Sequence, residues 1–251
     1  KVPVWHIYDI SILSVTASPT TVTVGESVNI IVVAKNNGTS TESFNVTAYY
    51  DDTTIGSKTV TNLAPEDSEN LSFTWDTADM SAGNWTVKAV AIPLDKETDT
   101  ADNTRNTTVT IEKLSSIISI SASPKTITVG ASITINGSIS PAREGLNVTI
   151  QYKSGEGNWI NLANETTDAN GQYSYTWTPT ETGTYEVRAI WAGDAQILGD
   201  ESNIEIVKVQ PRITWIPYAV GTAIVAAVAI VAYVLRTRKS RHPSLKPKGT
   251  S

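Results

Sequence analysis

An internal duplication constrains the fold of this chain more than any other sequence feature. The 17 residues that begin at Ser14, SVTASPTTVTVGESVNI, return 105 positions later at Ser119 as SISASPKTITVGASITI, with 10 identities. A repeat spacing of about 100 residues is that of tandem domains, because solenoid units are only 20 to 50 residues long. The sequence therefore predicts two related domains, residues 1–113 and residues 114–212.

Each of these units contains about seven short segments of alternating apolar and polar residues, separated by turn signals. Seven alternating strands in about 100 residues are typical of an immunoglobulin-like sandwich of antiparallel sheets. Four turn signals predict tight hairpins: Asn36-Asn37-Gly38, Asp51-Asp52, Gly155-Glu156-Gly157 and Asn170-Gly171. The expected fold class is all-β, with two tandem Ig-like antiparallel β-sandwiches followed by one C-terminal transmembrane α-helix.

The tryptophans allow two interpretations, a sugar-binding platform or core packing. Trp75 alternates in register with Leu71 and Phe73, and other aromatic residues in the strands follow the same pattern. Because one face of such a strand enters the core, the alternation favours core packing. Trp159, directly after a glycine-rich turn, is the tryptophan for which the binding interpretation stays most open.

The membrane helix is expected at residues 213–235, ITWIPYAVGTAIVAAVAIVAYVL, a stretch of 23 residues without a charge. As a helix it is long enough to cross a hydrocarbon core of about 30 Å. Trp215 and Tyr233 lie near its ends, where interfacial aromatic residues are common. A buried core helix is the alternative, but no other segment has the pattern of a helix that could surround one. Membrane lipid is therefore an expected partner of residues 213–235.

Charge predicts how the chain is oriented in the membrane. Residues 236–251 contain six Lys or Arg and no acid, so the rest of the chain carries a net charge of −12. The positive-inside rule places this basic tail in the cytoplasm and residues 1–212 outside the cell. The acidic body repels phosphate backbones, so nucleic acid is not an expected partner. Because no apolar signal segment follows Lys1, we expect a processed chain or the C-terminal part of a longer protein.

Short motifs spread over residues 9–209 carry a resemblance to known domains. In the first unit they are Asp9-Ile10, Asn36-Asn37-Gly38, Phe44-Asn45-Val46-Thr47, Tyr49-Tyr50, Asn62-Leu63-Ala64-Pro65, Phe73-Thr74-Trp75 and Asp99-Thr100-Ala101-Asp102-Asn103-Thr104. In these residues the first unit is similar to the CARDB-type adhesion-related sandwich of archaeal and bacterial surface proteins.

The motifs of the second unit are Ser138-Ile139-Ser140-Pro141, Asp168-Ala169-Asn170-Gly171-Gln172-Tyr173 and Gly183-Thr184-Tyr185. In these residues the second unit is similar to bacterial-type Ig repeats. The segment Pro93-Leu94-Asp95-Lys96 departs from the CARDB pattern. The resemblance implies an extracellular module without catalytic activity.

The expected function is that of a membrane-anchored, non-catalytic surface protein in adhesion, binding or surface scaffolding. Its partners would be other surface proteins or surface glycans. The chain has no cysteine and two histidines, which excludes thiolate chemistry and leaves little room for a histidine-based triad or zinc site. The alternative is a spacer that holds an upstream catalytic or binding domain away from the membrane. The sequence leaves the ligand and the oligomeric state open.

Eight N-x-S/T sequons precede the expected membrane helix, where glycosylation can occur. Polar strand faces can generate such sequons without function, because positions i and i+2 share a face. Alternation predicts that most of the eight face solvent, and we expect several to carry glycans. The asparagines are Asn37, Asn45, Asn70, Asn84, Asn106, Asn136, Asn147 and Asn164.

One acidic segment is a candidate for calcium binding. Calcium takes six to eight oxygen ligands, which a loop rich in carboxylates can supply. The segment lacks the glycine of an EF-hand loop, so a solvated connection between strands is the alternative. No other cofactor is expected. The candidate ligands are Asp95, Glu97, Asp99 and Asp102.

Overall fold

The chain folds into β-structure, with a short helix near its C-terminus. The computed structural model describes residues 6–212 and 231–237. Within this part of the chain, two sandwiches form one compact unit that ends at Val209. Residues 231–237 form the helix and belong to a second unit.

The first sandwich pairs a three-stranded sheet with a five-stranded sheet. The antiparallel order β1-β3-β6 faces the order β2-β8-β7-β4-β5, in which β2 runs parallel to β8. The strands are β1 Ile10–Ser18, β2 Thr21–Thr23, β3 Ser27–Asn36, β4 Glu42–Tyr50, β5 Thr53–Leu63, β6 Ser68–Asp76, β7 Gly83–Ala91 and β8 Thr104–Glu112.

The second sandwich repeats this topology strand by strand. Its sheets have the orders β9-β11-β14 and β10-β17-β15-β12-β13, and the one additional strand, β16, pairs with β15. The strands are β9 Ile117–Ser123, β10 Thr126–Thr128, β11 Ile133–Ser140, β12 Asn147–Ser154, β13 Ile160–Thr166, β14 Gln172–Trp177, β15 Gly183–Gly193, β16 Leu198–Glu201 and β17 Glu205–Gln210. The duplicated sequence segment spans the end of the first strand, the short second strand and the start of the third in each sandwich. The predicted all-β sandwich architecture is therefore confirmed.

Alternation along the strands places one face of each sheet in a core. In β6, Leu71, Phe73 and Trp75 are buried, and the residues between them are exposed. Each sandwich has its own cluster of buried apolar residues. Burial of Trp75, Trp177 and the other inward-facing aromatic side chains confirms the core-packing interpretation for them.

Only two of the four predicted hairpins are hairpins. Asp51-Asp52 joins the paired strands β4 and β5, and Gly155-Glu156-Gly157 joins β12 and β13. In contrast, Asn36-Asn37-Gly38 and Asn170-Gly171 each carry the chain from one sheet to the other. The prediction was wrong there because turn residues set the local bend but not the partner of the next strand.

The buried Asn36 side chain shows what holds the first of these sheet-to-sheet connections. Its Nδ2 donates to the carbonyl oxygens of Ser40 at 2.7 Å and Leu63 at 2.9 Å. Its Oδ1 accepts from the amide of Gly38 at 2.9 Å. These bonds satisfy the buried amide group through partners on both sides of the crossing.

Most of the predicted membrane helix, residues 213–230, lies outside the described residues. The described helix at 231–237 contains the end of that stretch and the first basic residue after it. Within 6–212 and 231–237, no helix is both long and apolar enough to cross a membrane.

The two sandwiches contact each other through the connection between β15 and β16, residues 194–197, here called the β15–β16 tip. The amide of Ala82 donates to the carbonyl of Ala195 at 3.0 Å. Gln196 Nε2 donates to the carbonyl oxygens of Ala78 and Met80, both at 3.2 Å. Three hydrogen bonds therefore join the tip to the 78–82 segment of the first sandwich.

The same tip also holds residues 113–116, the linker between the sandwiches. Leu114 donates its amide to the carbonyl of Gln196 at 2.9 Å and accepts from the amide of Leu198 at 2.8 Å. Asp194 Oδ1 accepts the amides of Gln196 and Ile197 at 2.8 Å, which fixes the shape of the tip. Arg143 Nη1 donates to Asp194 Oδ2 at 2.7 Å. The linker is therefore tied to the second sandwich through a tip that is itself held in shape.

Candidate functional site

The predicted calcium ligands belong to the connection between β7 and β8, residues 92–103, here called the acidic loop. Glu97 uses both carboxylate oxygens within the fold, since Oε1 accepts the amide of Ile10 at 2.9 Å and Oε2 that of Leu94 at 2.7 Å. Asp99 Oδ1 accepts the amide of Ala101 at 3.1 Å. Asp95 is exposed. Glu97 and Asp99 therefore have structural roles in shaping the loop and attaching it to β1.

Asp102, at the end of the acidic loop, lies in a different environment. Its backbone carbonyl accepts the amide of Ile12 at 2.9 Å, which places it beside the first strand. Burial, and next the negative charge of Asp9, raise the pKa of the Asp102 carboxyl above its ordinary value. Asp99 and Glu97 add smaller effects in the same direction. The fold therefore places Asp102 among other carboxylates, and the nearby cationic side chain of Arg105 donates its Nε to the carbonyl of Ile12 at 3.1 Å.

Three residues in this region leave buried polar atoms without hydrogen-bond partners. They are Asp9 and Asp102, each through Oδ1, and Asn103, through both Oδ1 and Nδ2. Asn103 is 2% exposed. These four atoms are most of the six buried side-chain nitrogen and oxygen atoms that lack such a partner in the described part of the chain. Unsatisfied polar groups are uncommon in folded proteins, and each calls for a physical explanation.

The structure points to candidate metal ligands that differ from those suggested by the sequence. Among the residues described, no group of three or more histidine, aspartate or glutamate side chains is placed to hold a metal ion. Calcium binding by Asp95, Glu97, Asp99 and Asp102 stays a prediction, although two of these side chains have other partners. Sequence reasoning missed Asp9 as a candidate ligand, because the pairing of β1 with the end of the acidic loop joins segments about 90 residues apart. It missed Asn103 because the burial of that side chain depends on tertiary packing.

The sequons differ in how well they could carry a glycan. Seven of the eight asparagines are exposed, which agrees with the predicted outward orientation of the strand positions. Asn37 is half-buried, and its Nδ2 donates to Ser11 Oγ at 3.0 Å. A glycan on Asn37 would compete with that bond, so Asn37 is the least suitable of the set. Glycosylation of the other seven stays a prediction.

Equivalent aromatic triads lie at the same end of both sandwiches. In the first, Tyr50 stacks on Trp75 at 5.0 Å between ring centroids, and Trp85 meets Tyr50 edge-on at 5.9 Å. The second sandwich has Tyr152, Trp177 and Tyr185 at the equivalent strand positions, with ring centroids 5.2 to 5.9 Å apart. Such separations are favourable for aromatic pairs.

A cleft opens over the triad of the second sandwich, here called the end cleft. It has a volume of about 690 Å³ and lies between the β12–β13 hairpin and the segment that joins β14 to β15. Its rim carries hydroxyl, amide and carboxylate groups, and Ile160 is its exposed aliphatic residue. Tyr185 Oη donates to the carbonyl of Glu181 at 3.0 Å and so holds one wall in place. The polar rim residues are Ser154, Asn158, Thr178, Thr180, Glu181 and Thr182.

Trp159 does not belong to the core clusters and is half-buried. The guanidinium carbon of Arg188 lies 4.1 Å from its ring centroid, and Lys153 Nζ lies 5.1 Å from it. Arg188 is itself held by Gln151 Oε1 and by Glu201. Trp159 therefore packs against cationic side chains beside the end cleft, and these contacts already occupy part of its ring.

Comparison with known protein families agrees with this architecture. Residues 8–110 match the CARDB family model. Residues 120–210 match the model of the bacterial Ig-like domain, group 3. Domains of these two kinds are typically non-catalytic, and together they fit a cell-surface protein of the adhesion type. No curated protein sequence matches the chain.

Several solved structures are similar to parts of the chain. A CARDB domain from Pyrococcus furiosus, solved in complex with di-metal ions, is 22% identical, with 42% of this chain and 90% of that chain covered and a TM-score of 0.37. The adhesin InvE from Yersinia pseudotuberculosis is 11% identical, with 81% and 65% covered and a TM-score of 0.43. The D0-D1 domain of intimin is 18% identical, with 79% and 99% covered and a TM-score of 0.30.

Proposed function

We propose that this chain is a non-catalytic adhesion module at the cell surface, anchored in the cell membrane by residues 213–235. Residues 1–212 lie outside the cell and residues 236–251 in the cytoplasm. The uncharged stretch and the basic tail support the anchor and its orientation. Exposed sequons support glycans on the outer part. The two matched domain types support the surface role.

The observation that carries the adhesive role is the end cleft. Binding sites for small ligands are concave, with apolar and aromatic walls and a few polar groups that fix orientation. The end cleft combines an aromatic floor with hydroxyl and carboxylate groups on its rim. A ligand with both apolar faces and hydroxyl groups, such as a terminal sugar of a surface glycan, fits this chemistry. Trp177 is 8% exposed, so the floor is mainly core and the rim makes most of the polar contacts.

The test measures adhesion of beads coated with the chain to cells of the organism that produces it. Thr180→Arg introduces a long side chain at the rim of the end cleft, and we expect it to lower bead retention severalfold. Thr176→Arg is the matched control, because Thr176 is exposed on the same sandwich and does not line the cleft. If both variants are retained like the unchanged chain, the end cleft is not the adhesive site.

The same cells test the anchor and its orientation. Protease added to intact cells that express the chain with an epitope tag after Ser251 should digest the outer part and leave the tag intact. Loss of the tag with protection of the outer part would contradict the proposed orientation.

A spacer is the second candidate function, and the contacts of the β15–β16 tip favour it. Hydrogen bonds that Gln196 donates and Ala195 accepts join the tip to the first sandwich, and those between Leu114 and the tip restrict bending at the linker. A spacer needs such stiffness, because a flexible linker would not hold an upstream domain at a set distance.

Because the chain has no cysteine, pairs of spin labels can be placed on it without background, for example at Thr61→Cys and Thr176→Cys. We expect a narrow distance distribution for the unchanged chain and a broader one for Gln196→Ala. Thr182→Ala, a change at an exposed position just before β15 and so at the opposite end of that strand from the tip, is the control and should leave the distribution narrow. A distribution that is already broad in the unchanged chain would contradict the spacer function.

Acid should broaden the same distribution. Burial alone would raise the pKa of Asp194, but hydrogen bonds from the amides of Gln196 and Ile197, together with Arg143, outweigh it and lower the pKa below its ordinary value of 3.8. A carboxyl with a lowered pKa stabilises the fold fully above its unfolded pKa, and that contribution is lost as the pH falls through the lower, folded value. We therefore expect the joint to keep its geometry down to about pH 4 and to loosen below it.

A further inference from the structure

We propose that Asp9, Asp102 and Asn103 form a binding site for a hard divalent cation, probed here as Ca²⁺, that joins the start of β1 to the end of the acidic loop. The site belongs to the first sandwich and does not depend on the adhesive role of the end cleft. It also differs from the four-carboxylate set suggested by the sequence.

The backbone holds these residues in place before any cation binds. The carbonyl of Asp9 accepts the amides of Asn37 and Gly38 at 2.9 and 3.0 Å. The carbonyl of Asp102 accepts the amide of Ile12, and that of Asn103 accepts the amide of Ala91 at 2.8 Å. The residues therefore belong to a backbone fixed by β1, by β7 and by the turn that follows β3, and not to a free loop.

The side-chain oxygens provide a donor set that the protein leaves unused. Asp9 Oδ1, Asp102 Oδ1 and Asn103 Oδ1 are all buried and without hydrogen-bond partners. Asn103 supports a ligand more strongly than the acids do, because its side chain is almost wholly buried and nothing in the described chain pairs with its amide. Burying an amide without a partner is costly, and burying a carboxylate without one costs more. Carboxylate and amide oxygens are ligands that Ca²⁺ prefers, and waters can complete its coordination.

The charge of the region points to a cation and not only to water. Asp9, Glu97 and Asp99 all act on Asp102 in the direction that opposes its ionisation. Glu97 is committed to two backbone amides, so it cannot relieve this repulsion by turning away. A divalent cation between Asp9 and Asp102 would convert the repulsion into attraction, which a neutral water cannot do.

The test uses the full chain, freed of metal with EDTA and then titrated with Ca²⁺ while heat of binding and melting temperature are measured. We expect one Ca²⁺ per chain. A ligand at ten times its Kd shifts the unfolding equilibrium about tenfold, which corresponds to a rise of roughly 5–10 °C in the melting temperature of a domain of this size. Absence of both heat and melting shift with millimolar Ca²⁺ or Mg²⁺ would overturn the proposal and leave water as the partner of these atoms.

Three variants separate a specific site from general charge effects. Asp102→Asn should abolish Ca²⁺ binding, and in EDTA it should be at least as stable as the unchanged chain because it removes an opposed charge. Asp95→Asn removes the same charge from an exposed position on the same loop and should bind Ca²⁺ normally. Asn103→Asp adds a charged ligand of the same shape and should bind Ca²⁺ more tightly. Equal weakening by Asp95→Asn and Asp102→Asn, or unchanged affinity in Asn103→Asp, would count against the site.

Discussion

Gly137→Ala should lower the free energy of unfolding of the second sandwich by about 2–4 kcal/mol. Gly137 lies within β11, and a Cβ there would stand 2.1 Å from Tyr173 Oη and 2.2 Å from the carbonyl oxygen of Ser119. The Tyr173 hydroxyl passes over this glycine to donate to that carbonyl at 2.6 Å. The added methyl group must therefore displace a buried ring and break a buried hydrogen bond.

Hydrogen exchange of the β11 amides in the full chain measures this loss, because it reports on the second sandwich alone. Tyr173→Phe is the control, since it removes the hydrogen bond but leaves the ring in place, and it should cost about 1 kcal/mol. A stability within about 0.5 kcal/mol of the unchanged chain for Gly137→Ala, the range of ordinary surface substitutions, would show that the close approach is not essential.

Trp75→Ala should destabilise the first sandwich by about 3–5 kcal/mol, the usual cost of truncating a buried tryptophan. Trp75 is 3% exposed and stacks on Tyr50 at an interplanar angle of 15°. Removing the indole ring leaves a cavity beside Tyr50 that the two sheets cannot fill without rearranging the side chains around it. The measurement is hydrogen exchange in β3 and β6, the strands that share its sheet.

Trp159→Ala is the control for this truncation, and because Trp159 lies between β12 and β13 of the second sandwich, its effect is measured by hydrogen exchange in those two strands. Its ring is half-buried outside the core and contacts Arg188 and Lys153, so its loss should cost only about 1 kcal/mol. Equal costs for the two variants would mean that burial does not distinguish these tryptophans. A tolerated Trp75→Ala would contradict the core-packing role that burial gives to Trp75.

Local patterns in the sequence predicted those parts of the fold that depend on neighbouring residues. Alternation identified the buried faces of strands such as β6, because side-chain direction reverses at every residue. The duplicated segment predicted two related sandwiches, and the structure extends the relation to the strand order. The same patterns did not separate hairpins from sheet-to-sheet connections, since Asn36 and Asp51 are both turn residues but only the second joins paired strands.

Local sequence patterns did not predict the features that depend on contacts between distant segments of the chain. Asp9 acts on the charge of Asp102 because β1 pairs through Ile12 with the end of the acidic loop, and no local spacing in the sequence reports that proximity. In the sequence, Gly137 looks like an ordinary strand residue. The structure shows that the Tyr173 ring packs directly over it. The end cleft likewise needs two separate connections to face each other. In each case the chemistry depends on tertiary packing, which overrides local preference.

The second sandwich has an additional hairpin, formed by β15 and β16, and this hairpin makes the contacts between the two sandwiches asymmetric. In the second sandwich, the connection between β15 and β17 includes β16 and the tip that contacts the first sandwich. The corresponding connection of the first sandwich is the acidic loop, and it bonds to its own β1 through Glu97. The later sandwich therefore supplies the tip that contacts the earlier one. The two sandwiches have nearly the same topology, but their order along the chain matters. If the order were reversed, the β15–β16 tip would no longer lie next to residues 78–82. The two units share a repeated sequence segment, but the connection after β15 gives the later unit the residues that reach residues 78–82 of the earlier one.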